Sequence, residues 1–398
     1  MTIDPKQSLP NPLADLISLG SQEKAVRGLM HTPREIWQQP DTWPNTFLRV
    51  TQRREELQRF LAPSLAASPT VYLIGAGTSD YVGRALTSVL RNRWKCDVMA
   101  VPSTELITNM ENYVLPDRSY LWISFSRSSD SSEGIGVLER AMREYPQVRH
   151  LVVTCNECGQ MSRMCTKPEN ALSLVLDDAV NDRGLAMTSS FTNLVVAGQC
   201  LANLWHLADY RSTLDTLVDM GRRMLERSAP VAHRVSQLQC RKAVFVGSGL
   251  LAAAATECAL KTLELTAGSI CAMAESTMGL RHGPMSAMDR DTLFVSFLSA
   301  GKRRFQYELD LLEEIQTKGL GRVRVTVAPA STERLRGLAD HVIALDAPEG
   351  FPDDYRVPVD VIFGQMFGLF ASLNAGLQPD HPSPDGTIAR VVSHVKIH

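Results

Sequence analysis

Charge of one sign is missing from this chain. Lys and Arg number 41 against 43 Asp and Glu, a formal charge of −2, so the electrostatic footprint that binds nucleic acid or an anionic membrane is absent. Long apolar runs are missing as well, since none approaches the roughly 18 uninterrupted apolar residues of a membrane-spanning helix. The N-terminus lacks a basic segment followed by an apolar core, the pattern of a secretory signal, so a cytoplasmic protein with a loose N-terminal arm is expected. A disulfide framework is excluded by the same setting, and the eight cysteines read as buried thiols. Cys155-x-x-Cys158 with Cys165 has the beginnings of a zinc site, but no Cys or His nearby completes a tetrahedron, so thiols in a loop after a strand are expected and no metal. A small-molecule partner is what these absences leave.

What is present is enough chain for two cores. With 398 residues, 44% apolar and 21% charged, the sequence suits two α/β domains. Short runs rich in Val, Ile and Leu recur at 71–74, 121–124, 151–154 and 174–176, most followed by a polar turn and a helical stretch, the alternation of parallel strands and crossover helices. After a long helical segment at 213–239, the pattern restarts at 243–246 and continues through 292–297, 323–327 and 341–345. The restart is a weak internal repeat: Val71-Tyr-Leu-Ile-Gly75-Ala-Gly77 resembles Ala243-Val-Phe-Val-Gly247-Ser-Gly249. The expected division is an arm and helices over 1–50, a first domain over 51–225, and a second over 226–398 with a C-terminal tail.

Three polar loops follow strands in the first half. Gly75-Ala-Gly77-Thr78-Ser79 turns a strand into a helix and presents backbone N–H groups to an anion. A dinucleotide fits it less well than phosphate, because position 80 is Asp80 and the G-x-G-x-x-G pattern fails. Ser126-Arg127-Ser128-Ser129-Asp130-Ser131-Ser132 sets hydroxyls and one guanidinium at the start of a helix over 133–144, which suits a phosphate monoester, although a solvated serine loop with an N-cap reads equally from the residues. Asp182-Arg183-Gly184-Leu-Ala186-Met-Thr188-Ser-Ser190 also opens a helix. Three such loops at strand C-termini converge on one crevice.

In the second half Glu257, Lys261 and Glu264 share one helix face at i, i+4 and i+7, a pattern that helix-stabilising ion pairing explains cheaply. His282, in Leu280-Arg281-His282-Gly283-Pro284, lies in a loop, as either a packed turn residue or a proton carrier.

These blocks, with Thr32-x-Arg34-Glu35-Ile36, Ala186-Met-Thr188-Ser-Ser190 and Ala259-Leu-Lys261-x-Leu-Glu264-Leu-Thr-Ala267-Gly268, resemble the sugar isomerase (SIS) family over almost the whole chain, and most nearly its galactosamine-6-phosphate deaminase/isomerase subfamily. The resemblance implies two SIS domains, each a parallel sheet flanked by helices in an αβα sandwich, a dimer, and an enzyme that isomerises and deaminates a hexosamine 6-phosphate without cofactor or metal. It also leaves a deglycase of fructosamine or glucoselysine 6-phosphate, and a non-catalytic sugar-phosphate sensor, as alternatives.

Residue by residue, the resemblance implies that Ser126, Ser128 and Ser131 hold the phosphate, with Gly77, Thr78, Ser79, Arg127, Arg183, Ala186 and Thr188 around the sugar. Similarity to the isomerase domain of glucosamine-6-phosphate synthase implies Glu264 as proton shuttle, with Lys261 beside it, and His282 as ring opener. Arg390 falls where that synthase has a lysine, so no Schiff base is expected there. Ser129 and Ser132 stand where close relatives tend to have Gly and Pro.

Overall fold

A computed structural model describes residues 11–383, 385–388, 390, 396 and 397. Two five-stranded parallel sheets follow one another along the chain. The first contains β1 (Thr70–Gly75), β2 (Val98–Pro102), β3 (Tyr120–Ser126), β4 (Arg149–Thr154) and β5 (Ala171–Val175) in the order β2-β1-β3-β4-β5. The second contains β6 (Lys242–Gly247), β7 (Cys271–Ser276), β8 (Thr292–Phe297), β9 (Val323–Ala328) and β10 (His341–Ala344) in the order β7-β6-β8-β9-β10. The two orders are the same, strand for strand, so the repeat seen at the two G-x-G turns extends to the entire topology.

The central strands β3 and β8 are buried along their whole length, as parallel strands covered by helices on both faces must be. β2 and β7 were absent from the sequence-based strand set. They occupy the same edge position in their sheets, and neither carries a run of β-branched residues: Val-Met-Ala-Val-Pro and Cys-Ala-Met-Ala-Glu-Ser. Half-exposed edge strands need less apolar pattern, and so display less.

The expected boundary at 225/226 falls inside one continuous helix of 30 residues, Leu207–Ser236. That helix braces the two halves. It packs along Val357–Asn374, which in turn packs against Leu251–Leu265, and Ser189–Ala202 of the first half also touches Val357–Asn374. Close approach is written into the sequence at Gly364, where a Cβ would lie 2.4 Å from Cys258 Sγ. Val357–Asn374 is long and apolar enough to span a membrane, yet 89% of that window is buried within the protein, so it serves here as the central core helix. Its seat against Leu251–Leu265 fixes the helix that carries Lys261 and Glu264.

Candidate active site

The first-half loops gather at the C-terminal ends of β1 and β3. Gly75 makes the turn out of β1 possible: a Cβ there would lie 2.3 Å from the Ser79 carbonyl carbon, so the helix Thr78–Arg84 returns directly over the strand. A cavity of about 230 Å³ is lined by Gly75, Ala76, Ser79, Ser124, Ser126, Arg127, Ser128 and Ser131, and by Glu133 and Gly134 at the first turn of the helix Ser132–Glu144. A second cavity of about 580 Å³ is lined by Gly77, Thr78, Leu185, Met187, Leu263, Glu264, Pro382, Ser383 and Ile388. Ala76, Arg127, Met187 and Arg390 line both. Serine hydroxyls and Glu264 thus face one continuous crevice within a single chain, of the size of ordinary small-molecule sites.

The serine loop is braced from within. Ser126 Oγ accepts the Ser129 N–H at 3.0 Å and Ser128 Oγ accepts the Asp130 N–H at 3.2 Å. A hydroxyl that accepts from the backbone keeps its own proton to donate, so both can offer O–H to an oxyanion. Asp130 ties the loop to its neighbour, accepting the Gln160 N–H at 2.8 Å and the Asn156 Nδ2 hydrogen at 3.2 Å. Ser131 is the N-cap residue of Ser132–Glu144 but makes no side-chain cap bond. Ser129 has φ 60°, the left-handed backbone that favours glycine.

On the other side, the ion pairing expected from the spacing forms, with two of its three members inside the protein. Glu257 and Lys261 are completely buried. Lys261 Nζ donates to Glu264 Oε2 and to Thr78 Oγ1 at 2.9 Å, and lies 3.4 Å from Glu257 Oε1. Burial alone would lower the Lys261 pKa, but the Glu257 and Glu264 carboxylates outweigh it and raise it, so the ammonium stays charged. Burial pushes Glu257 up to about 8, against the pull of Lys261, and its Oε2 has no hydrogen-bond partner. The site thus disfavours charge on Glu257, and Glu264 is the carboxylate to which Lys261 donates directly.

The third loop departs from expectation. Its anion site is filled by the chain's own Asp182, whose carboxylate accepts the N–H groups of Thr188 at 2.7 Å, Ser189 at 3.0 Å and Ser190 at 2.8 Å. Thr188 is consequently buried on Asp182 and lines neither cavity, and Ala186 is buried behind Leu185 and Met187, which do. The Arg183 side chain points outward and pairs with Asp178 Oδ2 at 2.6 Å. Arg127 lines both cavities, yet its guanidinium serves carbonyls: Nη1 donates to Leu185 O at 3.2 Å and Nη2 to Arg390 O at 2.7 Å. A buried guanidinium needs such acceptors, so Arg127 ties the third loop and the tail to the crevice. Arg390 Nε donates to Asp182 O at 2.7 Å and Nη2 to Asn181 Oδ1 at 2.8 Å.

Beneath this loop lies Glu35, which accepts the N–H groups of Arg183 and Gly184. Burial, and then the charge of Asp182, push its pKa up to about 8. His282 is exposed and lines neither cavity of its own chain. Cys155 and Cys165 are buried while Cys158 is exposed, and the described residues contain no group of three metal-ligand side chains. Ser103 and Thr104, just after the unforeseen β2, also line the smaller cavity. Their signal was present as an apolar run ending in Pro-Ser-Thr.

Two copies of one parallel sheet, a hydroxyl loop on the first and from the second a Glu-Lys-Glu face that is buried at Glu257 and Lys261 and open to the crevice at Glu264, define a two-module α/β protein of the sugar isomerase class. No family model matches the chain. D-galactosamine-6-phosphate deaminase AgaS of Escherichia coli is 35% identical over 369 residues, 92% of this chain and 95% of that protein. Among solved structures, tagatose-6-phosphate ketose/aldose isomerase from Escherichia coli has a TM-score of 0.80 at 31% identity, covering 92% of this chain and 96% of that one. A Clostridium novyi protein provisionally described as a tagatose-6-phosphate ketose/aldose isomerase reaches a TM-score of 0.89 at 29% identity, with coverage of 94% and 96%. The chain belongs to the SIS-domain sugar isomerase family that contains these proteins.

Proposed function

We propose that this chain is an aldose–ketose isomerase that deaminates a hexosamine 6-phosphate, galactosamine 6-phosphate first of all, to tagatose 6-phosphate and ammonia. The observation that carries this reading is the single crevice with Ser126, Ser128 and Ser131 at one end and Glu264 on Lys261 at the other. The hydroxyls and the first turn of Ser132–Glu144 receive the phosphate. That anchoring places the far end of an open-chain sugar in the larger cavity. The Glu264 carboxylate takes the proton from C2 as O1 gains one, leaving an enolamine, and returns it to C1 as the amine gives up an N–H proton, leaving a 2-imino ketose. Water adds to the imine carbon and nitrogen departs as ammonia, the water oxygen becoming the ketone. Lys261, itself anchored on Thr78, holds the Glu264 carboxylate in its orientation.

Ring opening needs an acid–base group, and His282 cannot supply it within its own chain because it lines neither cavity. A homodimer in which His282 enters the site of the second copy supplies it. Purified protein given galactosamine 6-phosphate should release ammonia and ketose 6-phosphate in equal amounts. Interconversion of plain aldose and ketose phosphates with no ammonia from any 2-amino sugar phosphate would reduce the reading to simple isomerase, and release of a free amino acid from fructosamine 6-phosphate would replace it with a deglycase. Mixing Glu264→Gln and His282→Ala chains should restore activity through one intact site per mixed dimer; no recovery refutes the exchange of His282.

A further inference from the structure

The two halves match strand for strand, but only one keeps an open loop at the end of its third strand. In the first half β3 runs through Ser126 to Ser131 into the helix Ser132–Glu144, facing the smaller cavity. In the second, β8 runs through Leu298 to Gly301 into the helix Lys302–Thr317, and the corresponding donors are already taken. The Ala300 N–H donates to Asp353 Oδ1 at 2.8 Å and the Ser299 hydroxyl donates to Asp353 Oδ2. Arg356 Nη1 donates to the same Oδ1 at 3.0 Å, and Arg304 Nη2 lies 3.6 Å from Oδ2.

Local helix capping does not account for this arrangement. Asp353 is 53 residues beyond Ala300, on the short turn Asp353–Tyr355 that precedes the core helix Val357–Asn374. Arg356 is completely buried, bonds Asp360 with its other terminal nitrogen at 2.8 Å, and has no partner for Nε. A loop amide, a serine hydroxyl and a buried guanidinium converging on two oxygens form the donor set that a phosphate monoester uses.

We infer that the second half contains a closed oxyanion site whose occupant is the chain's own Asp353 carboxylate, so that each chain takes one phosphorylated ligand, and that removing this carboxylate opens a second site for phosphate. For the ligand's chemistry only, the inference rests on reading the first-half serine loop as a phosphate site. It accounts for why the open serine loop of the first half has no open counterpart at the same point of the second: the place equivalent to the substrate phosphate is filled from within.

The test is calorimetric titration of the full chain with inorganic phosphate, for the wild type, Asp353→Ala and Asp353→Asn. Asp353→Ala should bind one equivalent of phosphate more per chain than the wild type, and phosphate should raise its Tm by more. Asp353→Asn, whose amide keeps the shape of the plug, should gain no equivalent. A folded Asp353→Ala with wild-type stoichiometry overturns the inference. Should Asp353→Ala fail to fold in phosphate-free buffer, recovery in phosphate but not in chloride of equal ionic strength supports it, and recovery in neither overturns it. No equivalent in the wild type with one in Asp353→Ala would refute the first-half phosphate site while upholding this one.

Discussion

Lys261 Nζ, on the second half's helix Leu251–Leu265, donates a hydrogen bond of 2.9 Å to Thr78 Oγ1, on the first half's Gly-Ala-Gly-Thr turn. Both groups are buried, so the bond joins the two modules where the crevice runs between them. The same ammonium holds Glu264. The Glu264 carboxylate, which lines the larger cavity, is thereby positioned from both halves at once.

Glu264→Gln removes the base and leaves its shape. Exchange of the sugar's C2 hydrogen with solvent deuterium, followed by NMR, should slow by about 10²- to 10⁴-fold. Binding of a sugar phosphate, measured by calorimetry, should stay close to wild type because the serine loop lies at the other end of the crevice. Wild-type exchange in this variant would place the shuttle elsewhere.

Ser128→Ala removes one hydroxyl from the smaller cavity and with it one ground-state hydrogen bond, worth about 1 kcal/mol. The expected result is a KM raised by roughly fivefold with little change in kcat. Ser126→Ala should behave similarly in KM and also lower Tm, since Ser126 Oγ holds the Ser129 N–H within a buried turn. Steady-state kinetics beside calorimetric melting separates the two.

Ser129→Gly should stabilise the protein. Ser129 adopts φ 60°, and its buried hydroxyl has no partner, so glycine relieves both backbone strain and an unsatisfied polar group. Allowing for the greater entropy of glycine in the unfolded chain, the net gain is on the order of 1 kcal/mol. An unchanged or lower Tm would contradict it.

Stability should fall as pH rises from about 5 toward 8. Burial first, and then Asp182, raise the Glu35 pKa to about 8 from 4.5, and burial raises that of Glu257 likewise. Across this window the folded state binds protons that the unfolded state has lost, and each such group costs up to about 1.4 kcal/mol per pH unit. Glu35→Gln keeps an acceptor for the Arg183 and Gly184 amides but cannot ionise, so its plot of unfolding free energy against pH should be shallower than the wild type's. Parallel plots would show that Glu35 does not titrate there.

The sequence by itself determined the duplicated α/β architecture, because buried parallel strands need continuous apolar runs and each G-x-G turn needs its glycines. It also placed the serine loop at a helix start and put Glu257, Lys261 and Glu264 on one face, since helical spacing is a local property. Whether that face was solvated or buried was not local, and neither was the fate of the other polar loops. Asp182 takes the amides six to eight residues ahead of it in its own loop, Asp353 fills its site from a position that only the packed chain brings near, Arg127 turns to carbonyls because its surroundings exclude water, and His282 lies outside its own crevice. Local pattern can mark a donor; only the assembled fold decides what the donor meets.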